Sequence, residues 1–420
     1  MPEAVTSSSP GTSEGAPGAP APASSYGRPP AALLLALVTV ALVVRLAAVV
    51  LLGPAAPAVS DKRLRYDRIA HSLLAGDGFA RKGAPSADSP PLYPLFLAGV
   101  YGVFGPSDGA ARAALAVVDS ATVGVVLLLG WAVVGRRAAV LAASVAAVLP
   151  YSIFQVLAAG SDTLFLLLHT LALLFLARAW LDDRGRHWAA AGALLALATL
   201  CRAVPLLLPV PLAALVLLAG RGTLRHRAGR AALLVVVFAV VLAPWMVRNA
   251  VVFHRFVPVQ TLGGYQFLLG TLDTESPPRR WSGYRSLPSD PVTRDGYLAR
   301  RGWERIRDDP AAYAGRLARR TVRMWSRTHS GRFDTWLGAA NAVLLALAAA
   351  GVALAPRRRA LLPLLVAFAY FVAVHTVLMS IFRYLLPVVP ILLVLAAVPA
   401  ARWLPGRWPA EAAAPGRLGA

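Results

Sequence analysis

Residues 31–52 read AALLLALVTVALVVRLAAVVLL, an apolar run broken by a single charge, Arg45. About 20 consecutive apolar residues, wound as a helix, cross the hydrocarbon core of a bilayer. This run has that length, so the chain enters a membrane near its start. At 22 residues, beginning only after residue 30, it is too long and too late for a signal peptide, so an uncleaved first helix is expected. The same pattern recurs downstream. Ten spans are expected, at 31–52, 110–134, 138–157, 163–181, 188–201, 204–219, 231–246, 336–355, 360–380 and 385–403. The fifth and sixth are short and divide near Arg202 and Pro205. The run 91–104, PLYPLFLAGVYGVF, is too short to span and reads as a juxtamembrane helix. The fold class is therefore all-α and polytopic, with about ten transmembrane helices and further helices beside the membrane.

Composition agrees. The chain is 57% hydrophobic and 15% charged, against about 25% charged in a soluble globular protein. The net charge of +22 suits arginines that flank helices, set topology and meet anionic lipid. No basic stretch forms a nucleic-acid reading motif, so membrane lipid and not nucleic acid is the expected partner. One cysteine, Cys201, excludes an intrachain disulfide. The seven histidines lack metal-ligand spacing. No cofactor is assigned, and a divalent metal is left open.

Lys and Arg decide orientation. The short loops 135–137, 177–187, 220–230 and 356–359 carry 12 of them in 29 residues, and they alternate so as to share one side, the cytoplasm. Loop 53–109, on the other face, carries 6 in 57. The expected organisation is a disordered cytoplasmic tail (1–30), an N-terminal transmembrane module (31–246) with its first outer loop at 53–109, an outer segment (247–335), C-terminal helices (336–403) and a second cytoplasmic tail (404–420). In 250–335, the stretch RDGYLARRGWERIRDDPAAYAGRLARRTVRMW and its surroundings read as amphipathic helices over the outer face.

The first outer loop holds SDKRLRYDRIAHSLLAGDGF at 60–79. Tyr66, Ile69, Ala70, Leu73 and Leu74 follow helical spacing, and the GDG at 76–78 ends the helix. Asp61 stands at its start, either as a helix cap or as a general base at the membrane face.

Taken in order, these segments and the motifs SADSPPLYPLFLAGVYGVFG, VLPYSIFQVLAAGSDTLFLLL, LATLCRAVPLLL, LAPWMVRNAVVFHRFVPVQTLGGYQFLLG and FRYLLPVVPILL resemble the GT-C membrane glycosyltransferases. The likeness is strongest to glycosyltransferase family 39 and the aminoarabinose-transferase-like proteins, and it covers about 31–403. It implies a GT-C fold, a polyprenyl-phosphate-linked sugar as donor, and transfer outside the cytoplasm to a protein, lipid or polysaccharide acceptor. It implies that an acid in the first outer loop deprotonates the acceptor. Asp61 matches that position, although the family often has two adjacent acids where this chain has Asp61 followed by Lys62. Asp67 is a substitute, and Asp88 matches a second acidic position; alone, Asp88 would read as a turn residue before the prolines.

The chemistry wants these residue types. A departing polyprenyl phosphate gains negative charge, which arginines hold through paired hydrogen bonds. Arg202, Arg248 with Asn249, and Arg383 with Tyr384 all fall on the outer side in this topology; a positive-inside protein should avoid arginine in short outer loops, so Arg202 and Arg383 need a reason. Phosphate binding by one or more of these arginines is the expected reason; snorkelling to headgroups is the alternative. Arg65 and Tyr66 in the outer helix and Tyr93 in PPLYP complete the expected binding set. Asp162 reads as a cap on the fourth span. Arg45 and Asp119, both deep, are expected to pair with each other. His375 shares a helix face with Arg383 if that helix continues. A transporter or lipid flippase is the competing function, but it predicts charges along the midplane and related halves. A scaffold leaves the acid-and-arginine set unexplained.

Overall fold

The computed structural model describes residues 27–53, 61–272, 287–327, 331, 333–355, 357–378 and 382–403, with the backbone alone at 61–64. In chain order the helices are α1 (Ala31–Leu52), α2 (Asp61–Leu74), α3 (Leu92–Phe104), α4 (Asp108–Val133), α5 (Arg136–Val148), α6 (Pro150–Ala158), α7 (Ser161–Asp182), α8 (Gly185–Cys201), α9 (Pro209–Ala219), α10 (Leu224–Phe253), α11 (Gly263–Leu272), α12 (Pro291–Asp308), α13 (Pro310–Arg323), α14 (Asp334–Leu354), α15 (Leu362–Val377) and α16 (Val389–Trp403). Between α2 and α3 a small hairpin pairs β1 (Ala80–Arg81) with β2 (Ala84–Pro85).

Within the described residues each expected span contains helix, but not always as one straight rod. Among the described residues seven helices are long and apolar enough to cross a membrane, or up to eight if α5 and α6 count as one broken span. That third expected span bends by 44° between the two, because Pro150 starts α6 after an extended Leu149. The fifth, α8, has 17 residues, and the sixth is the short α9 behind a 3₁₀ turn at Val204–Leu207. The run after residue 91 forms the short α3, and α2 ends at glycines with left-handed φ, Gly76 and Gly78.

The bundle packs α7 against α4 and α8, α8 against α10, and α16 against α5 and α14. α16 is buried along nearly its whole length, whereas α1 and α14 leave most of their apolar side chains outside. Leu51 on α1, 75% exposed, is a side chain that water would reject and lipid accepts. Small residues set the closest approaches. A Cβ on Gly351 of α14 would run into the Leu395 carbonyl of α16, the small-residue packing that membrane helices favour. Deep in the bundle Arg45 Nε donates to Asp119 at 2.5 Å, and its other groups donate to the carbonyls of Ala147 at 2.7 Å, Ala41 at 3.1 Å and Ala146 at 3.2 Å. The expected pair forms, with the remaining donors satisfied by backbone.

The segment after α10 is helical, as its amphipathic pattern suggested, although 273–286, including Trp281, lies outside the described residues. Buried Arg320 of α13 donates to the carbonyls of Thr376 and Leu378, each at 3.0 Å, and to that of Gly270. A cation at the C-terminal end of α15 satisfies carbonyls left without helix partners, and it ties α11 and α13 to the bundle.

Candidate active site

The hairpin starts the site. Lys82 and Gly83 hold left-handed φ of 57° and 76°, which makes a two-residue turn and folds β2 back on β1. Arg81 is thereby carried onto the carboxylate of Asp88 as an ion pair. Arg65 of α2 approaches the same carboxylate at 3.8 Å and donates to the Asp88 carbonyl at 3.2 Å. The Ser86 hydroxyl donates to Asp88 Oδ1 at 2.7 Å. Asp88 is thus a buried acid between two guanidiniums, not an idle turn residue.

Arg248 fastens this loop from behind. It donates to the carbonyls of Ser86 at 2.9 Å and Phe79 at 3.0 Å, and to Asn249 Oδ1 at 3.0 Å. Its guanidinium lies 4.9 Å from the Trp245 ring and 5.6 Å from those of Phe79 and Phe253. Asn249, fully buried, donates to the Val257 carbonyl at 3.0 Å. Sequence reasoning placed Arg248 and Asn249 among substrate ligands; in the structure Arg248 holds the Asp88 loop through the Ser86 and Phe79 carbonyls, and Asn249 bonds to Arg248 and to the Val257 carbonyl.

A second acid lies at the start of α7. Arg202, just beyond α8, donates to Asp162 Oδ1 at 2.5 Å. Arg383, in the 3₁₀ turn Phe382–Val388, donates to Oδ2 from Nε at 2.8 Å and from Nη2 as well. The expectation that Asp162 caps its helix is corrected: Gly160 is the cap residue and no side chain caps α7. The local sequence suits a cap, but Asp162 stands in the first turn of α7 and gives one carboxylate oxygen to each of two arginines brought from distant chain. A Cβ at Gly160 would lie 3.0 Å from Arg383 Nη2, so the absent side chain leaves room for that guanidinium. The Asp162 side chain is 3% exposed, while those of Arg202 and Arg383 are 16% and 20% exposed. One buried carboxylate against two partly open guanidiniums leaves a net positive charge facing outward, where attraction for an anion exceeds that in bulk water.

α2 joins the two acids. Arg65 reaches Asp88, and the next residue, Tyr66, sets its hydroxyl 3.4 Å from Ser161 Oγ. Burial pushes the Tyr66 phenol up, and the nearby Arg202 charge pulls it down. Tyr93, fully buried, donates to the Ala159 carbonyl at 2.6 Å and packs edge-on against Tyr66 at 5.0 Å. Asp67 accepts from Tyr101 at 2.7 Å, away from these acids. Asp61 is the first residue of α2; its side chain lies outside the described residues, as does Ser60. Tyr384 is buried, lies 5.8 Å below the Arg202 guanidinium and stacks on His375 at 5.3 Å. α15 stops at Val377, so His375 and Arg383 do not share a helix face. Among the described residues no group of three His, Cys, Asp or Glu is placed to hold a metal.

Sequence reasoning missed Arg81, Tyr151, Gln155 and Ser161. Tyr151 stacks edge-on against Phe382 at 4.8 Å, beside Arg383, and Gln155 is buried one turn further along α6. Pro150 was the available signal, since a helix restarting there turns a different face inward.

Part of this constellation falls inside a family match. Residues 88–247 match the family model described as dolichyl-phosphate-mannose-protein mannosyltransferase, a segment that includes Asp88, Asp162 and Arg202. No curated protein matches the chain. Among solved structures the chain resembles the oligosaccharyltransferase of Archaeoglobus fulgidus in its apo form, with 15% identity and a TM-score of 0.54, covering 87% of this chain and 50% of that one. It resembles AglB of the same organism, in complex with an inhibitory peptide and a dolichol-phosphate, with 13% identity, a TM-score of 0.53 and the same coverage. The chain thus spans about half the length of these archaeal proteins. ArnT of Cupriavidus metallidurans bound to undecaprenyl phosphate is 18% identical, with a TM-score of 0.45, over 87% of this chain and 77% of that one.

Proposed function

We propose that this chain is a GT-C-type membrane glycosyltransferase, a reading supported by the family match over residues 88–247, and that it moves a sugar from a polyprenyl-phosphate donor to a hydroxyl, or an amine, of a protein, lipid or polysaccharide acceptor outside the cytoplasm. The observation that carries the reading is the shared grip of Arg202 and Arg383 on Asp162. Asp162 fixes both guanidiniums in place, and the charge it leaves unneutralised is matched to a phosphate.

In this reading the donor phosphate sits at Arg202 and Arg383, its sugar toward α2 and the Asp88 loop. The acceptor oxygen attacks the anomeric carbon as the bond from that carbon to the phosphate oxygen breaks. The bonding pair leaves with the phosphate, and the arginines stabilise the added charge. The acceptor proton passes to a carboxylate. One displacement with no enzyme nucleophile inverts the anomeric centre. Asp61 is the proposed base; four residues before Arg65 on α2, it lies on the same helical face. Asp88, held by Arg81 and Arg65, is the second candidate and otherwise positions the first loop.

Sidedness supports the assignment. Asp88, Asp162, Arg202, Arg248 and Arg383 all gather at one end of the bundle, while the Arg-rich short loops lie at the other. Under the positive-inside rule this arrangement favours a site outside the plasma membrane, with the two ends of the chain on the cytoplasmic side. A transporter would need charge available at depth, whereas the Arg45 and Asp119 pair is saturated. Incubating purified protein with a panel of labelled polyprenyl-phosphate sugars and cell-envelope acceptors tests the reading. Sugar transfer that depends on Arg202 and Arg383 is expected; flux of intact lipid without transfer would replace it with the transporter.

A further inference from the structure

The end of the bundle far from Asp162 carries its own cationic recess, built where α7 turns into α8 and α9 turns into α10. Two hollows adjoin there and share Arg230. Arg221 and Arg227 line the first with Trp180 and Trp188; Arg225, His226 and Thr223 line the second. The opposing acid is Asp183, already engaged by His226 at 2.6 Å, Arg230 at 3.2 Å and the Trp188 ring N–H at 3.1 Å. Its neighbour Asp182 is taken up by His187 at 2.8 Å, with Arg184 at 3.8 Å. Arg221 and Arg227 spend one nitrogen each on the carbonyls of Leu181 at 3.0 Å and Leu217 at 2.8 Å, which aims the guanidiniums without neutralising them. The buried Nε of Arg227 has no hydrogen-bond partner, and Arg225 makes no ion pair among the described residues. The cationic hollows border bare apolar surface: Leu218 is 83% exposed, and Leu224 and Val236 are also exposed.

We propose that this recess is a binding site for the headgroup of an anionic phospholipid, its phosphodiester on Arg221, Arg225 and Arg227 and its acyl chains along α9 and α10. Three features select a lipid over a free anion. Guanidinium forks match a phosphate, the half-buried Trp180 suits the headgroup level, and the exposed leucines continue the site where acyl chains run. The position differs from a general basic rim, since basic pockets between helices bind lipid headgroups specifically.

The test is native mass spectrometry of the full chain released from nanodiscs holding equal amounts of dioleoyl phosphatidylglycerol and dioleoyl phosphatidylcholine. Short-chain phosphatidylglycerol and inorganic phosphate are titrated in detergent alongside. The wild type is expected to retain phosphatidylglycerol preferentially. Each arginine near a charged lipid surface contributes about fivefold, so the double variant Arg221→Gln, Arg225→Gln should lose about twentyfold of that preference. Arg221→Lys, Arg225→Lys, which keeps the charge without the fork, should recover part of it and controls for folding. Equal retention of both lipids, a preference unchanged in the Gln variant, or binding of inorganic phosphate without short-chain phosphatidylglycerol would overturn the proposal.

Discussion

Arg383 holds Asp162 across 221 positions of chain, Nε to Oδ2 at 2.8 Å, binding the turn before the last helix to the start of α7. The same carboxylate takes Arg202 on its other oxygen. Removing the acid leaves two buried-side cations facing each other. Asp162→Asn should therefore cost about 3–5 kcal/mol of stability, the usual penalty for breaking a buried pair. Thermal unfolding in detergent measures it; an unchanged midpoint would mean that the arginines are held by something else.

Arg202→Ala and Arg383→Ala should each lower transfer with modest loss of fold. A charge-assisted hydrogen bond to a developing anion is worth about 1.5–3 kcal/mol, which is about 10- to 100-fold in turnover. Lys at either position should rescue only partly, because a point charge lacks the planar fork. Steady-state kinetics with the active donor decides, and full activity in both Ala variants would move the phosphate site to Arg65 or Arg81.

The two candidate bases separate by isosteric change. Asp61→Asn keeps capping ability and should lower turnover by at least about a hundredfold while leaving donor binding intact. Asp88→Asn should weaken the hold of Arg81 and Arg65 on the loop, raising acceptor KM as well as lowering kcat. The reverse pattern would make Asp88 the base.

The Arg45 and Asp119 pair is structural. Asp119→Ala strands a buried guanidinium and should cost about 3–5 kcal/mol, whereas replacing both residues with apolar ones of similar volume should restore most of it. Folded double-variant protein should keep normal transfer. Lost transfer in a stable double variant would give this pair a functional role.

The long apolar runs made the spans legible, since their lengths match a bilayer, and loop arginines ordered their ends. Local residues decided α2 and its glycine stop. What the sequence hid were pairings at distance. Asp162 follows Gly160 and Ser161 as a residue near a helix start does, and only Arg202 and Arg383, 40 and 221 positions away, change its role. Arg248 sits in PWMVRN as a plausible ligand, yet its partners are carbonyls 162 and 169 positions earlier. Tyr151 and Gln155 were hidden differently, inside an apolar run that reads as one span until Pro150 bends it by 44°.

The sharpest measurement is direct binding of a polyprenyl phosphate, compared with the matching polyprenol, to the wild type and to the Arg202→Gln, Arg383→Gln double variant in detergent, in which the amides still donate to buried Asp162. It needs no knowledge of the sugar or acceptor. The account predicts that the wild type prefers the phosphate, that the preference falls about a hundredfold or more in the double variant, as two lost charge-assisted bonds require, and that polyprenol binding is unchanged. A double variant that keeps the wild-type preference for the phosphate would contradict it.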